Sequence, residues 1–204
     1  MKGEPSGKFF VTGLPRSRTA WMSAFLTTGE TLCYHEPSCH IAKIEDISTF
    51  FDSTFYKHIG VSESSLGFFI EWILENIKPR TLIIERDIAE VKESMRQIGL
   101  PMDRFYFCEL LQETLSQFRD HPLVKVVHFN SLVHKRVMQD VYWHLMPGCA
   151  FDEERWAQFN GMSIEGIPHA MLEKARKYAD NLALLYADIN GVLRELAQND
   201  QQAA

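Results

Sequence analysis

The sequence lacks the staples of a small secreted or metal-bound domain. Its four cysteines, Cys33, Cys39, Cys108 and Cys149, form no C-x-x-C pair, and no histidines fall at zinc-finger spacing. A reduced, cytoplasmic setting without a metal is therefore expected. A basic excess is also missing: 21 Lys and Arg stand against 27 Asp and Glu, a formal net charge of −6. That balance excludes a general nucleic-acid binder, although an acidic chain still takes an anion in a local basic pocket. The opening residues, MKGEPSGK, lack the apolar stretch of a secretory signal. The longest apolar segment, LGFFIEWIL at 66–74, is interrupted by Glu71 and falls far short of the ~20 residues that span a bilayer. No membrane association is expected, and no internal repeat is visible.

What is present is apolar material: 46% of the 204 residues are hydrophobic, with 14 Phe and 4 Trp, which rules out a disordered chain. At about 150 residues per domain, the length suits one domain. A single domain over 1–204 is expected, with an α/β core over 1–130 and a helical completion over 131–204. Four runs read as strands: 8–13 (KFFVTG), 31–35 (TLCYH), 81–86 (TLIIER) and 124–129 (VKVVHF). They are close to continuously apolar, as strands covered on both faces are. Helical periodicity lies between them, at 17–28, 65–77, 88–98 and 103–119, and strand–helix alternation implies right-handed crossovers and a parallel sheet.

After the fourth strand the pattern is helical. SLVHKRVMQDVYWHLM makes one helix that Pro147-Gly148 ends, and FDEERWAQF makes a short one. Further on, Met171, Ala175, Tyr178, Leu182, Leu185, Ile189, Leu193 and Leu196 recur at steps of three and four. That stripe is expected to pack on the body of the domain, with a dimer seam as the alternative, so the chain is read as a monomer or homodimer.

The chemistry is concentrated between the first strand and first helix, in Thr12-Gly13-Leu14-Pro15-Arg16-Ser17-Arg18-Thr19-Ala20-Trp21. A strand, a tight turn and a helix start make an anion site, because free N–H groups of the first helical turn converge there and the helix dipole favours negative charge. Arg16 and Arg18 add cations that fork onto phosphate oxygens. Laid on the Walker A pattern G-x-x-x-x-G-K-[ST], Gly13 fits, but Arg18 stands at the second Gly, Thr19 at the Lys and Ala20 at the Ser/Thr. The Walker hydroxyl holds Mg²⁺ against the phosphates, and a methyl group cannot. An ordinary Mg-ATP hydrolase is disfavoured.

The segment P-R-S-R-T-A-W, 15–21, resembles the 5′-phosphosulfate-binding loop of sulfotransferases, P-[KR]-S-G-T-T-W. The resemblance implies a P-loop kinase-like three-layer α/β/α fold with a mainly parallel sheet of four to five strands. It also implies 3′-phosphoadenosine 5′-phosphosulfate (PAPS) as sulfuryl donor, without a metal. By the same resemblance Arg16, Ser17, Arg18, Thr19 and Ala20 line the 5′ phosphate, and Trp21 packs near the adenine. Arg18 replaces the family's Gly and Ala20 its second Thr. Taken on its own, Trp21 reads as a core partner of Phe25, one helical turn on.

A second stretch, Arg86-Asp87-Ile88-Ala89-Glu90-Val91-Lys92-Glu93-Ser94, is similar to the family's 3′-phosphate pattern R-[DN]-P-x-[DE]-x-x-x-S, with Ile88 in place of Pro. Asp87 is a good N-cap, which puts Arg86 at the carboxyl edge of the sheet, where open α/β folds bind ligands. Ser94 lies ~9 Å along the helix at about 1.5 Å per residue, so either an anion gripped by both residues lies beside the helix or the turn is irregular.

Sulfuryl transfer needs a base on the acceptor hydroxyl and a cation where the leaving phosphate gathers charge, for which Arg16 is placed. Between the two motifs stands Cys33-Tyr34-His35-Glu36-Pro37. On an extended segment neighbours point to opposite faces, and Pro37 biases Glu36 to extended geometry, so one of His35 and Glu36 is expected to enter the cleft. Cys33-Tyr34-His35-Glu36 resembles C-G-E-E of the protein-tyrosine sulfotransferase branch, which favours Glu36 as base; His35-Glu36-Pro37 resembles the H-x-P of the cytosolic branch, which favours His35. VVHFNSLV, 126–133, is weakly similar to the family's R-Y-E-D-L strand end, and no R-K-G-x-x-G segment is found near the C-terminus.

The leading expectation is a PAPS-dependent sulfotransferase acting on a hydroxyl or amine of a small-molecule, carbohydrate or peptide acceptor. The alternatives are a P-loop phosphotransferase or NTPase, and a non-catalytic nucleotide-binding or scaffold protein of the same fold. The acceptor is set by pocket shape in the 38–77 and 130–170 regions, which composition does not encode.

Overall fold

Five parallel strands form one sheet in the order β2-β3-β1-β4-β5. The computed structural model describes residues 7–52, 56–99 and 106–160. The strands are β1 (Gly7–Gly13), β2 (Thr31–His35), β3 (His58–Ser62), β4 (Arg80–Glu85) and β5 (Val124–His128). The helices are α1 (Thr19–Leu26), α2 (Ile70–Asn76), α3 (Ile88–Gln97), α4 (Tyr106–Ser116), α5 (Lys135–Leu145) and α6 (Glu153–Asn160), with a 3₁₀ turn at Ser65–Phe69 leading into α2. The apolar stripe over 171–196 lies outside the described residues.

Alternation along the strands explains the layers. Phe9 and Val11 of β1 and Leu82 and Ile84 of β4 face one side, packed on Trp21 and Phe25 of α1 and on Met138, Val141 and Leu145 of α5. Ile83 faces the other, with Ile70 and Leu74 of α2, Val91 and Met95 of α3, and Leu111 and Leu115 of α4. Both faces are covered, which is why the strand sequences lack a polar alternation. The result is a three-layer α/β/α sheet. Arg155 ties α6 to α1: its guanidinium donates to the carbonyls of Ala24 at 2.7 Å, Phe25 at 3.0 Å and Thr27 at 2.7 Å, capping the helix end whose orphan carbonyls need donors.

Four strands match the sequence reading, and β3 adds a fifth that it did not identify. His58-Ile59-Gly60-Val61-Ser62 has only two aliphatic side chains, so no apolar run marks it, yet all five residues are buried between β2 and β1. Gly60 is required by contact: a Cβ there would sit 2.2 Å from the Phe9 ring. Gly60→Ala is expected to cost about 1–3 kcal/mol through overpacking, measured as a lowered midpoint in thermal or urea unfolding.

The chain divides into two units, one of residues 1–36 and 48–163 and one of 37–47 and 164–204. The first contains the sheet. The described part of the second, 37–47, holds a 3₁₀ turn at Pro37–His40 and the opening of another at Ile44–Phe51. Among the described residues no helix is long and apolar enough to cross a membrane.

The strand order has a functional consequence. From β1 the chain runs out to β2, returns to β3 and crosses over β1 to β4 and β5. The direction of winding reverses beside β1, and the crevice outside its carboxyl end is where such sheets hold ligands. In-register pairing levels the strand ends: His35 lies opposite Ser62, Gly13 opposite Ile84, and Glu85 opposite His128.

Candidate functional site

The turn after β1 begins at a glycine the packing demands, since a Cβ on Gly13 would meet the Ile84 carbonyl oxygen at 2.4 Å. Ser17 N–H then donates to the Leu14 carbonyl at 3.2 Å, closing the turn. Arg16 and Arg18 both have φ of 65°, a left-handed conformation that costs a side-chain-bearing residue roughly 1–2 kcal/mol. Arg18 thus occupies a backbone conformation that a glycine takes most easily.

Arg18 is also the N-cap of α1, and its side chain makes no capping bond. The first helical bond runs from Met22 N–H to the Arg18 carbonyl at 2.8 Å. Helix geometry leaves the amides of Thr19, Ala20 and Trp21 without an intrahelical acceptor, and α1 has no acidic residue in its first turn. The Ser17 hydroxyl is fully buried with no hydrogen-bond partner, as is that of Thr12 at the end of β1. Helix-start amides without an intrahelical acceptor, an orphaned buried hydroxyl and flanking guanidiniums fit a phosphate-sized oxyanion.

The second motif meets the first. Asp87 caps α3, accepting from the amides of Ala89 at 2.8 Å and Glu90 at 3.1 Å. With the helix start fixed, Arg86 reaches back to the loop: its Nη1 donates to the Arg16 carbonyl oxygen, and its Nε lies 3.4 Å from Glu90 Oε2. Arg16 in turn donates from Nε to Ser94 Oγ at 3.2 Å, on the flank of α3. Residues 70 and 78 positions apart in sequence are joined by direct hydrogen bonds.

Arg18 adds a third guanidinium. Its Cζ lies 4.9 Å from the Phe129 ring centroid and 5.9 Å from that of Trp21, while Arg86 Cζ lies 4.1 Å from the same Phe129 ring. Burial, and then the neighbouring Arg86 charge, lower the Arg18 pKa from its ordinary value. Phe129 stands just after β5 in the 126–133 segment, and spacing along the chain does not show that two arginines meet on its ring.

Trp21 takes the core role. It is 4% exposed, stacks on Phe25 with centroids 5.1 Å apart, and donates from Nε1 to the Phe159 carbonyl at 2.9 Å. Thr19 is buried, and Ala20 is half-buried at the helix start.

β2 ends at His35, so His35 and Glu36 lie at the carboxyl edge of the sheet. The expected extended geometry of Glu36 is corrected: its φ is 52°, left-handed rather than extended. The turn it makes breaks the alternation of faces, so the two side chains converge, with His35 Nε2 3.7 Å from Glu36 Oε1. His35 and Glu36 form a neighbouring imidazole–carboxylate pair, not alternatives on opposite faces. A further carboxylate, Glu63, follows β3 at the same sheet edge. It is fully buried and accepts a hydrogen bond from the Ser65 hydroxyl. Its lack of exposure makes it a support for the turn into α2. Among the described residues no three His, Cys, Asp or Glu side chains gather as a metal-binding group.

The fold is similar to that of solved sulfotransferases. Two solved structures show the likeness. Mouse sulfotransferase SULT7A1 complexed with PAP superposes with a TM-score of 0.54 at 10% identity, over 76% of this chain and 63% of the mouse enzyme. A sulfotransferase from Alicyclobacillus acidocaldarius superposes with a TM-score of 0.53 at 14% identity, over 92% of this chain and 96% of the bacterial one. This chain therefore matches less than two thirds of the mouse enzyme's length. No family model and no curated protein matches by sequence.

Proposed function

We propose that the chain is a sulfotransferase that moves a sulfuryl group from PAPS to an acceptor hydroxyl or amine. The observation that carries this reading is the direct joining of the two phosphate motifs at the carboxyl edge of a sulfotransferase-type sheet: Arg86 to the Arg16 carbonyl, and Arg16 to Ser94. In this reading Ser17, Arg18 and the amides of Thr19 and Ala20 hold the 5′ end of the nucleotide, and Arg86 and Ser94 hold the 3′ phosphate. Trp21 supports the loop from beneath.

The chemistry asks for two things of these residues. As the acceptor oxygen bonds to sulfur, the bond from sulfur to the bridging phosphate oxygen breaks, and adenosine 3′,5′-bisphosphate leaves. Arg16 and the helix-start amides stabilise charge on the leaving phosphate. The acceptor proton passes to the His35–Glu36 pair, in which the carboxylate steadies an imidazole that gains charge. The acceptor is a small molecule, carbohydrate or peptide, and the reading needs no metal because Ala20 stands where Walker loops place their magnesium hydroxyl.

The test compares adenosine 3′,5′-bisphosphate with Mg-ATP in a thermal shift assay. Saturation at about 100 times Kd stabilises a folded protein by about 2.7 kcal/mol, a shift of several degrees. Stabilisation by the bisphosphate without magnesium is expected. Stabilisation by Mg-ATP alone would replace this reading with a phosphotransferase, and a nucleotide-binding chain that sulfates nothing across a broad acceptor panel would replace it with a binding protein.

A further inference from the structure

The Arg18–Phe129–Arg86 cluster is a feature that the loop and strand motifs do not explain. Two guanidiniums rest against one half-buried ring, at 4.9 and 4.1 Å from its centroid. Like charges brought together this way repel, and the repulsion is strongest where burial excludes water. Among the described residues no carboxylate forms an ion pair with Arg16 or Arg18; Arg86 alone has one, Glu90 at 3.4 Å. The cluster therefore carries uncompensated positive charge at the sheet edge. Arg86 is also held by the Arg16 carbonyl and by Glu90, and the ring of Phe129 is the partner that Arg18 and Arg86 share.

We propose that Phe129 is a positioning residue that holds Arg18 and Arg86 as a paired dication, so that the site selects a ligand bearing two phosphates over a ligand bearing one. This inference rests on the nucleotide reading above. A doubly phosphorylated adenosine neutralises both guanidiniums and gains from finding both already held on one ring, because their ordering precedes binding. A monophosphate pairs with one and leaves the other without an anion of its own, so it gains less. Arg18 is what makes the device possible, since the glycine of the related loop pattern has no side chain to stack.

Isothermal titration with adenosine 3′,5′-bisphosphate and adenosine 5′-monophosphate, at fixed salt, tests the inference on wild type, Phe129→Leu, Phe129→Tyr and Arg18→Gly. Phe129→Leu keeps apolar bulk and removes the ring. It should lower the preference for the bisphosphate about tenfold, and Phe129→Tyr should restore it. Arg18→Gly suits the left-handed φ, so it removes the second cation without straining the turn, and should lower the preference as Phe129→Leu does. A purely structural role would weaken both nucleotides alike. Wild-type preference in both Phe129→Leu and Arg18→Gly overturns the inference alone. So does a wild type that binds the two nucleotides equally. A wild type that binds neither removes the nucleotide reading and the inference with it.

Discussion

Turnover in His35→Ala and in Glu36→Gln should fall by about 10²–10⁴-fold, the usual contribution of a positioned general base, while affinity for adenosine 3′,5′-bisphosphate stays within about twofold of wild type. The separation follows from placement. The pair sits at the end of β2, and the sheet order interposes β3 between it and the loop strand β1. Neither side chain belongs to the phosphate motifs, so neither loss should disturb the anion donors. Because His35 Nε2 and Glu36 Oε1 are 3.7 Å apart, the two substitutions act on one unit, and the double variant should lose little more than the worse single one. Single-turnover sulfuryl transfer and nucleotide titration measure the two quantities independently. Full turnover in both single variants would place the base elsewhere; multiplicative losses would mean the two residues act separately.

Arg86→Ala should weaken adenosine 3′,5′-bisphosphate by about 100-fold or more, since hydrogen bonds to charged groups are worth roughly 1.5–3 kcal/mol each. The substitution also removes the donor to the Arg16 carbonyl and the cation on Phe129. A left-handed Arg16 would thereby lose an anchor of its turn, so the damage should extend to the 5′ subsite. Arg86→Lys is expected to recover little, because an ammonium lacks the planar fork that bonds the loop while facing a phosphate. The melting temperature should change much less than the affinity, as Arg86 lies at the edge and the core beneath it is untouched. Titration calorimetry reads the outcome, and wild-type affinity in Arg86→Ala would remove the second phosphate subsite.

Much of this arrangement is legible in the sequence. β1 and β4 are marked by apolar runs because they are covered on both faces, and the edge strands β2 and β5 by shorter ones. Asp87 announced the start of α3 because a capping carboxylate satisfies amides from its own next turn, a local event. β3 gave no such sign: it is buried by its neighbours, and a sheet centre accepts His58, Gly60 and Ser62 only because Phe9 and the flanking strands close around them. Glu36 misled for a related reason. A proline following it favours extended backbone as a local tendency, and the left-handed turn at φ 52° is set by the chain's path off the sheet edge.

By itself the sequence determined the layer architecture, the turn between β1 and α1 and the residue types at the ends of β1, β2, β4 and β5, because periodicity, capping and turn chemistry act between near neighbours. The tertiary structure alone decided which of those residues meet. Arg16 reaches Ser94, Arg86 reaches back to Arg16, and Arg18 joins Arg86 on the ring of Phe129 because parallel pairing brings β1, β4 and β5 side by side with their carboxyl ends level. Spacing along a chain carries no information about such encounters; register between strands does.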